Sequence, residues 1–360
     1  MQKKVLVAMS GGVDSSVAAA LLLEAGYQVV GATMRLYSYP EEDTPEPFRG
    51  CCSVEAVDEA RRVCQLLGIP HYFLNFERQF SRYVVDYTCQ EYARGRTPNP
   101  CLACNRHLKF SASGGLLRRA LASGFDYVAT GHYARIDGRD GRLRLKKAVD
   151  PAKDQSYFLY TLGQPELGRL LLPIGHYHKN QVREKARELG LPVAERPDSQ
   201  ELCFIPDGDT RRFLEERLGA RPGLLVDAGG RELGNHRGVA FYTVGQRHGL
   251  GLALGIPHYV LRLEAESNRV VVGPEAGLLR RRLRVEEPSF VSGVAPSLPT
   301  EVTAKIRYRS PEAPAMLFNG DAGLEAVFAE PQRAIAPGQA VVFYQGDEVL
   351  GGGTISEFSD

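Results

Sequence analysis

Glycines, serines and one aspartate follow the first apolar run of the chain. Residues Ser10–Ser16 read Ser-Gly-Gly-Val-Asp-Ser-Ser, and the Ala- and Leu-rich stretch Ser16–Leu23 comes next. Two glycines let the backbone approach an anion, free N–H groups at a helix start point toward it, and the serines add hydroxyl donors. Because Asp14 would repel a bare anion, we expect Mg²⁺ to be shared with bound phosphates. The loop matches neither the Walker A nor the Gly-x-Gly-x-x-Gly pattern, so it predicts a phosphate site of another kind.

Three of the seven cysteines carry the second candidate chemistry. Cys101 and Cys104 form a Cys-x-x-Cys pair beside a proline-rich turn, and Cys203 lies far downstream. Basic neighbours such as Arg106 favour the thiolate. A zinc site lacks completing ligands nearby, and a thioredoxin-like pair would be expected in a much smaller domain. A catalytic thiol pair and an iron–sulfur site with Cys203 as third ligand both stay open.

The elements that must position these groups alternate between strands and helices. Predicted strands are Val5–Met9, Gln28–Met34, His71–Asn75 and Tyr127–Thr130, and predicted helices are Ser16–Leu23, Val54–Leu67, Leu116–Ala122 and Val182–Leu189. This alternation predicts a parallel sheet with helices on both faces. Such sheets bind ligands at the carboxyl ends of their strands, where Gly131-His132-Tyr133 follows one strand. Taken alone, that tripeptide predicts only a turn glycine with a packed histidine. Ser38–Gly50 predicts a surface loop.

The pattern of predicted elements changes after about residue 205. Thr210–Leu218 predicts a helix, and short strands of a small connecting domain are expected at Val239–Thr243, Tyr259–Leu263 and Val270–Val272. Four later segments, between Pro and Gly turns, predict a small antiparallel barrel or sandwich: Glu301–Tyr308, Leu324–Phe328, Ala340–Gln345 and Val349–Ile355. We therefore divide the chain into residues 1–206, 207–278 and 279–360.

Composition excludes several classes of protein. The chain has 360 residues, of which 43% are hydrophobic and 24% charged, so disorder, collagen and a disulfide scaffold are excluded. A net charge of +1 argues against a protein that coats nucleic acid or membrane. Residues 101–150 nevertheless carry ten Lys or Arg against four Asp or Glu, which makes a basic block.

No apolar run reaches the roughly 18–20 residues of a membrane span, and the first run is too short for a signal peptide, so we expect a cytoplasmic protein.

Seven segments, in order, resemble the tRNA-specific 2-thiouridylases, a family of PP-loop ATP pyrophosphatases. They are Ala8–Ser16, Gly95–Pro100 with Cys104 and Asn105, Thr130–Arg135, Lys153–Leu159, Ser199–Pro206, Tyr242–Arg247 and Lys305–Arg309. The resemblance implies an α/β fold: a doubly wound parallel-sheet PP-loop domain of the adenine nucleotide alpha hydrolase type, a small mainly-β central domain and a C-terminal β-barrel. It also implies a sulfurtransferase that uses ATP to replace the C2 oxygen of the wobble uridine (U34) of tRNA by sulfur.

The resemblance also implies roles for individual residues. For ATP they are Ala8, Met9, Ser10, Gly11, Gly12, Val13, Asp14, Ser15, Met34 and Gly131. For the target base and tRNA they are Asn99, Pro100, Cys101, Lys153, Asp154, Gln155, Arg307 and Tyr308. By the same resemblance Cys203 carries a persulfide and Cys104 then forms a disulfide with it. The implied partners are tRNAs of the Lys, Glu and Gln type and a sulfur donor, either a cysteine desulfurase or a sulfur-relay protein.

One position departs from the family pattern, because many members have Asp where this chain has Cys101. Cys101, Cys104 and Cys203 could then hold three irons of a [4Fe–4S] cluster whose fourth iron binds sulfide. The alternatives are that Cys101 is a bystander or a sulfur relay.

Two other functions compete with thiolation. One is a PP-loop ligase that acts without sulfur transfer, and the other is a tRNA-binding or iron–sulfur regulatory module that only binds ATP.

Two of the matching segments also have a purely structural interpretation when each is taken alone. Residues 153–155 then predict a solvated turn, and Arg307 with Arg309 predicts an exposed strand face.

Overall fold

A computed structural model describes residues 2–37, 54–111, 114–197, 202–205, 207–252, 255–321 and 323–359. The predicted loop Ser38–Gly50 lies outside these residues, as do Cys51 and Cys52. No helix in the described ranges is both long and apolar enough to cross a membrane.

Seventeen strands are present in the described part of the chain. They are β1 (Lys4–Ala8), β2 (Gln28–Arg35), β3 (His71–Asn75), β4 (Tyr127–Ala129), β5 (Ala134–Arg139), β6 (Arg142–Lys147), β7 (Leu170–Leu171), β8 (Gly223–Val226), β9 (Glu232–His236), β10 (Tyr259–Glu264), β11 (Arg269–Gly273), β12 (Leu279–Phe290), β13 (Thr300–Lys305), β14 (Ala313–Gly320), β15 (Gly323–Arg333), β16 (Ala340–Gln345) and β17 (Glu348–Ser359).

The α-helices are mostly short. They are α1 (Val13–Glu24), α2 (Val54–Leu66), α3 (Glu77–Phe80), α4 (Tyr87–Ala93), α5 (Pro100–Cys104), α6 (Leu116–Ala122), α7 (Gln164–Leu167), α8 (Lys179–Glu188) and α9 (Thr210–Leu218). π-Helical turns at Ser81–Asp86 and Asn105–Lys109 continue α3 and α5. Single 3₁₀ turns lie at Ser156–Leu159, Pro173–His176, Val239–Phe241 and Glu275–Leu278.

The amino-terminal sheet has the predicted parallel form. Its order is β3-β2-β1-β4-β7, with β1 at the centre. Successive side chains of a strand point to opposite faces: Val5 and Val7 pack with residues of α1 and α8, whereas Leu6 packs with residues of α6. Both faces of the sheet are therefore covered by helices, and the predicted doubly wound α/β domain is confirmed.

The carboxyl-terminal strands close into a barrel. The order β12-β15-β14-β13-β16-β17 is completed by pairing of β12 with β17, which makes a six-stranded ring. This confirms the predicted barrel. The β5–β6 hairpin was not predicted, and it joins the ring at β17, where Lys146 lies opposite Glu348. Its polar sequence, in which Lys and Arg alternate with Leu, gave little sign of a paired strand.

The central region is a four-stranded sheet in the order β10-β11-β8-β9, with α9 where it was predicted. The predicted strand at Val239–Thr243 is wrong, because Val239–Phe241 forms a 3₁₀ turn after Gly238, which has φ of +150°. Its three apolar side chains are all buried. A short apolar run of this kind fits a buried turn as well as a strand, so periodicity could not separate them.

Candidate active site

The phosphate loop, residues Ser10–Ser16, joins the end of β1 to the start of α1. Gly11 has φ of +69°, and a Cβ atom there would lie 2.1 Å from the carbonyl oxygen of Ala56 in α2. Only glycine fits this position. Gly12 is the N-cap of α1 and has no side chain to cap the helix. The N–H groups at the start of α1 therefore have no competing side-chain cap.

The loop serines mainly hold the loop together. The Oγ of Ser15 accepts a hydrogen bond from the Ser10 N–H (3.2 Å) and donates to the Gly12 carbonyl (3.2 Å). The Ser16 hydroxyl donates to the same carbonyl at 2.9 Å. Ser15 and Ser16 are buried. The sequence suggested that these hydroxyls donate to a ligand, and the structure instead uses both of them to fix the loop.

Asp14 is neutralised by a lysine that no sequence motif marks. The Lys179 ammonium lies 2.7 Å from each oxygen of the Asp14 carboxylate, and the Tyr133 hydroxyl donates to Oδ1 at 2.7 Å. The Lys179 side chain is 11% exposed. Arg196 brings a second cation, donating to the Gly11 carbonyl at 3.0 Å. The acidic group therefore does not make the loop repulsive to phosphate, because two cations from distant segments lie beside it.

The predicted nucleotide residues are brought to one edge of the sheet. A Cβ atom at Gly131, just past β4, would lie 2.6 Å from the Ser15 nitrogen, so the segment after β4 packs tightly against the start of α1. Met34, at the end of β2, is buried in the same hydrophobic cluster as Cys104, and Cys203 packs against that cluster. One residue of the candidate adenosine site and both candidate sulfur carriers therefore belong to one hydrophobic cluster.

His132, next to Gly131, is a packed histidine, as the tripeptide predicted. Its Nδ1 lies 2.7 Å from the Thr130 hydroxyl, and its ring packs against Phe110. Burial, followed by the nearby charge of Lys109, holds the pKa of His132 well below its usual value. The imidazole is therefore neutral at pH 7.

The Cys-x-x-Cys pair lies on α5, one helical turn apart. Asn99 caps this helix, its side-chain oxygen accepting from the N–H groups of Cys101 (3.1 Å) and Leu102 (3.3 Å). Pro100 occupies the first turn, where its missing N–H costs nothing. Cys101 is exposed, Cys104 is buried and Cys203 is half-buried. The two thiols of α5 therefore differ in their exposure to solvent.

The described residues do not form a resident metal site. Within the described ranges, no group of three His, Cys, Asp or Glu side chains is arranged to hold a metal ion. The iron–sulfur cluster expected at Cys101, Cys104 and Cys203 therefore stays a prediction. Asp14 fits a resident magnesium ion poorly, because both of its oxygens face Lys179.

Several predicted tRNA residues gather around Tyr308. Its ring lies 4.4 Å from that of Phe158, centroid to centroid. Burial raises the pKa of the Tyr308 phenol, and the charges of four surrounding groups also act on it, namely those of Asp154, Lys153, Arg309 and Cys101. Segments far apart in sequence therefore meet here.

Asp154 and Gln155 are engaged within their own region. The Asp154 carboxylate accepts from the Ala148 N–H at 3.0 Å and the Ser156 hydroxyl at 2.9 Å, and the Gln155 side-chain oxygen accepts from the Tyr133 N–H at 2.9 Å. These bonds order the turn beside the nucleotide site, so it is more than a solvated turn.

Arg307 does not lie on an exposed strand face. Its Nη2 donates to the carbonyls of Val244 (2.9 Å) and Ala334 (3.0 Å), which lie in the central region and the barrel. Burial lowers the pKa of its guanidinium. Arg309 is exposed, as expected. The exposed-face interpretation is therefore wrong for Arg307, and its role as a tRNA contact stays a prediction.

Comparison with known proteins places this site in a family. Residues 3–207 match the tRNA methyl transferase HUP domain, residues 211–274 the tRNA methyl transferase PRC-barrel domain, and residues 280–355 the aminomethyltransferase beta-barrel domain. A tRNA-specific 2-thiouridylase MnmA from Carboxydothermus hydrogenoformans is 54% identical, over 99% of this chain and 98% of the relative. The chain belongs to the tRNA-specific 2-thiouridylase family.

Further relatives agree with this assignment. The 2-thiouridylase of Roseiflexus sp. is 52% identical over 98% of this chain and 99% of its own length. A solved U34-tRNA thiolase NcsA from Methanococcus maripaludis, with its [4Fe–4S] cluster, is 19% identical, covers 60% of this chain and 67% of that one, and has a TM-score of 0.36, too low to support an argument about the site. As a 2-thiouridylase family member, the chain is an enzyme of the sulfurtransferase class with an ATP-using PP-loop domain.

Proposed function

We propose that this enzyme replaces the C2 oxygen of the wobble uridine, U34, of tRNA by sulfur, with ATP converted to AMP and pyrophosphate. The observation that carries the proposal is that Met34 and Cys104 lie in one hydrophobic cluster, against which Cys203 packs together with Ala8, the last residue of β1 before the phosphate loop. A nucleotide site next to two thiols suits activation of a substrate oxygen followed by attack of sulfur.

The first step is adenylation of the uracil. Its O2 is a poor leaving group, so it attacks the α-phosphorus of ATP and pyrophosphate departs. The N–H groups of residues 10–15 would hold the phosphates, with Met34 and Gly131 near the adenosine. Lys179 would turn from Asp14 toward the phosphates, which brings a positive charge where negative charge develops. Magnesium would arrive with ATP as part of the substrate.

The second step transfers sulfur. The terminal sulfur of a Cys203 persulfide attacks C2, and AMP leaves with the original oxygen. The Cys104 thiolate then attacks the Cys203 sulfur, which forms the Cys104–Cys203 disulfide and releases 2-thiouridine. An external dithiol must reduce this disulfide before the next turnover. Within the proposal, Cys101 is a bystander or a relay, and no step passes through an iron–sulfur cluster.

The target base would reach this site out of the anticodon stack. Asn99, Pro100 and Cys101 would line its pocket, and the surface around Tyr308, with Lys153 and the exposed Arg309, would contact the tRNA. Three further side chains would act indirectly, by ordering the turn and the strand that carry this tRNA-binding surface: Asp154, Gln155 and Arg307. The tRNAs would be of the Lys, Glu and Gln type, and the sulfur donor a cysteine desulfurase or sulfur-relay protein.

The three-domain division at residues 206 and 278 is part of this proposal. The first domain would carry the chemistry and the other two would bind tRNA. The β5–β6 hairpin qualifies this division, because it lies in the first segment but pairs with the barrel strand β17.

Nucleoside analysis tests the proposal directly. Wild-type enzyme incubated with unmodified tRNA, ATP and polysulfide is expected to yield 2-thiouridine, and Cys104→Ser and Cys203→Ser are expected to yield none. Cys89→Ser, at a buried cysteine outside the site, is the matched control. A PP-loop ligase without sulfur transfer would keep its ATP turnover in both site variants, and a module that only binds ATP would release no tRNA-dependent pyrophosphate.

A further inference from the structure

The barrel strand β12 contains a bulge that faces the catalytic domain. Its pairing with β17 shifts register between Glu286 and Ser289, and Glu287 has φ of +45° although it is not glycine. The glycines of β17 make the bulge fit closely: a Cβ atom at Gly351 would lie 2.1 Å from the Ser289 carbonyl oxygen, and one at Gly353 would lie 2.7 Å from the Glu286 carbonyl oxygen. A left-handed non-glycine residue held this tightly is a costly conformation that the surrounding structure maintains.

The bulge places two carboxylates against the segment that contains the turn Thr97–Pro100 and the helix α5. Glu286 pairs with Arg96 at 2.8 Å, and Glu287 pairs with Arg106 at 3.0 Å. These arginines flank the turn and α5, one on each side. The Glu287 pair is largely exposed and therefore weak. The Glu286 pair is less exposed than the Glu287 pair, with the Glu286 side chain 48% and the Arg96 side chain 22% exposed, and the Arg96 Nε also lies 2.7 Å from a carboxylate oxygen of the buried Glu91 of α4.

A second barrel segment holds the same turn through its backbone. The Thr97 N–H donates to the Pro337 carbonyl at 2.8 Å, and the Gln339 amide donates to the Thr97 carbonyl at 2.9 Å. A Cβ atom at Gly338 would lie 2.8 Å from the Thr97 nitrogen. Two separate parts of the barrel thus hold two consecutive residues, Arg96 and Thr97, which lead into Pro98 and Asn99.

We propose that Glu286 is a positioning residue for the thiolation reaction: through Arg96 it fixes the turn Thr97–Pro100 and, with it, the start of α5. The barrel is then part of the catalytic apparatus as well as a tRNA-binding domain. This inference rests on the proposed function, in which that turn presents the target base to ATP and sulfur. Small displacements of such a turn reduce the rate of chemistry more than they reduce binding.

The test compares Glu286→Gln with Glu286→Asp in the full-length enzyme. The matched control is Glu357→Gln, which removes a carboxylate from another barrel ion pair, Arg284–Glu357, at 3.0 Å. Single-turnover formation of 2-thiouridine is measured with unmodified tRNA, MgATP and polysulfide, and tRNA affinity, the KM for ATP and the thermal midpoint are measured beside it. Hydrogen exchange of the peptide covering residues 97–104 gives a readout that does not depend on turnover.

For Glu286→Gln we expect a roughly ten-fold slower single turnover with unchanged tRNA affinity and KM for ATP, and faster exchange of residues 97–104. Glu286→Asp should recover most of the rate, and Glu357→Gln should behave as wild type. A Glu286→Gln rate equal to that of the control, a loss that lies wholly in tRNA affinity, or unchanged hydrogen exchange would overturn the proposal. A wild-type enzyme that makes no 2-thiouridine would instead refute the proposed function, while the exchange result would still decide whether Glu286 holds the turn.

Discussion

Lys179 is a residue of the candidate site that no sequence signal indicated. It lies 165 positions from Asp14, at the start of an ordinary amphipathic helix, and nothing in its neighbourhood marks it as a ligand-binding residue. Folding places its ammonium against the phosphate loop. Without it, the partly buried Asp14 carboxylate would lose the ammonium group that lies 2.7 Å from each of its oxygens.

Lys179→Met is therefore expected to raise the KM for ATP about ten- to hundred-fold, since a charged contact worth roughly 1.5–3 kcal/mol is lost. The measurement is tRNA-dependent pyrophosphate release against ATP concentration. Lys185→Met is the control, because Lys185 lies on the same helix and pairs with Glu24 near the surface. Normal ATP kinetics in Lys179→Met would show that this lysine serves Asp14 alone.

Cys101 distinguishes a persulfide reaction that uses Cys104 and Cys203 from a reaction at an iron–sulfur cluster held by three cysteines. It is exposed, whereas Cys104 is buried in the cluster beside Met34. We expect Cys101→Asp, which introduces the residue that the family resemblance leads one to expect at this position, to keep 2-thiouridine formation within about three-fold of wild type, because in the proposed reaction Cys104 and Cys203 carry the sulfur. Product analysis of tRNA with polysulfide as donor is the measurement. Loss of product in a variant with an unchanged thermal midpoint would favour a three-cysteine cluster.

Among the elements, the phosphate loop depends on the close approach of α2. Gly11→Ala would combine a left-handed φ with a clash against the Ala56 carbonyl, so we expect more than about 1 kcal/mol of destabilisation and loss of ATP binding. Gly26→Ala is an informative control: Gly26 also has positive φ (+83°), but a Cβ atom added there would meet no other atom within 4 Å. Equal effects of the two changes on ATP binding would mean that backbone strain, rather than the contact with α2, explains the result.

Elements with clear periodicity were predicted well. Strands β1 to β4 of the parallel sheet and the helices α6 and α9 lie where the apolar pattern placed them, to within a few residues, whereas the two-residue strand β7 was not predicted. The β5–β6 hairpin and the turn at Val239–Phe241 were missed or misassigned. Their identity depends on what packs against them, since a polar strand is recognisable only beside its partner and a short apolar run fits either structure.

At the scale of the whole molecule, Arg307 joins two regions of the chain. Its guanidinium donates to one carbonyl in the central region and to another in the barrel. We expect Arg307→Ala to lower the free energy of unfolding by about 2–4 kcal/mol, because two buried carbonyls lose their donor. Urea unfolding measures this, with the exposed Arg309→Ala as control. If Arg307→Ala weakens tRNA binding but leaves stability unchanged, Arg307 is a direct contact instead.

Four features could be predicted from the amino-acid sequence: the kind of nucleotide loop, the alternating α/β domain, the β-rich remainder and the candidate cysteines. Each of them depends on local residue types or on short-range periodicity. The folded structure was needed to show that Lys179 pairs with Asp14, that Cys104 and Cys203 share a cluster with Met34, that Arg307 bridges two regions and that the barrel holds Arg96 and Thr97. Each of these facts is a contact between residues far apart in the chain. Local propensity contains no information on such contacts; they are decided when the separate hydrophobic clusters pack against one another and their polar groups must find partners.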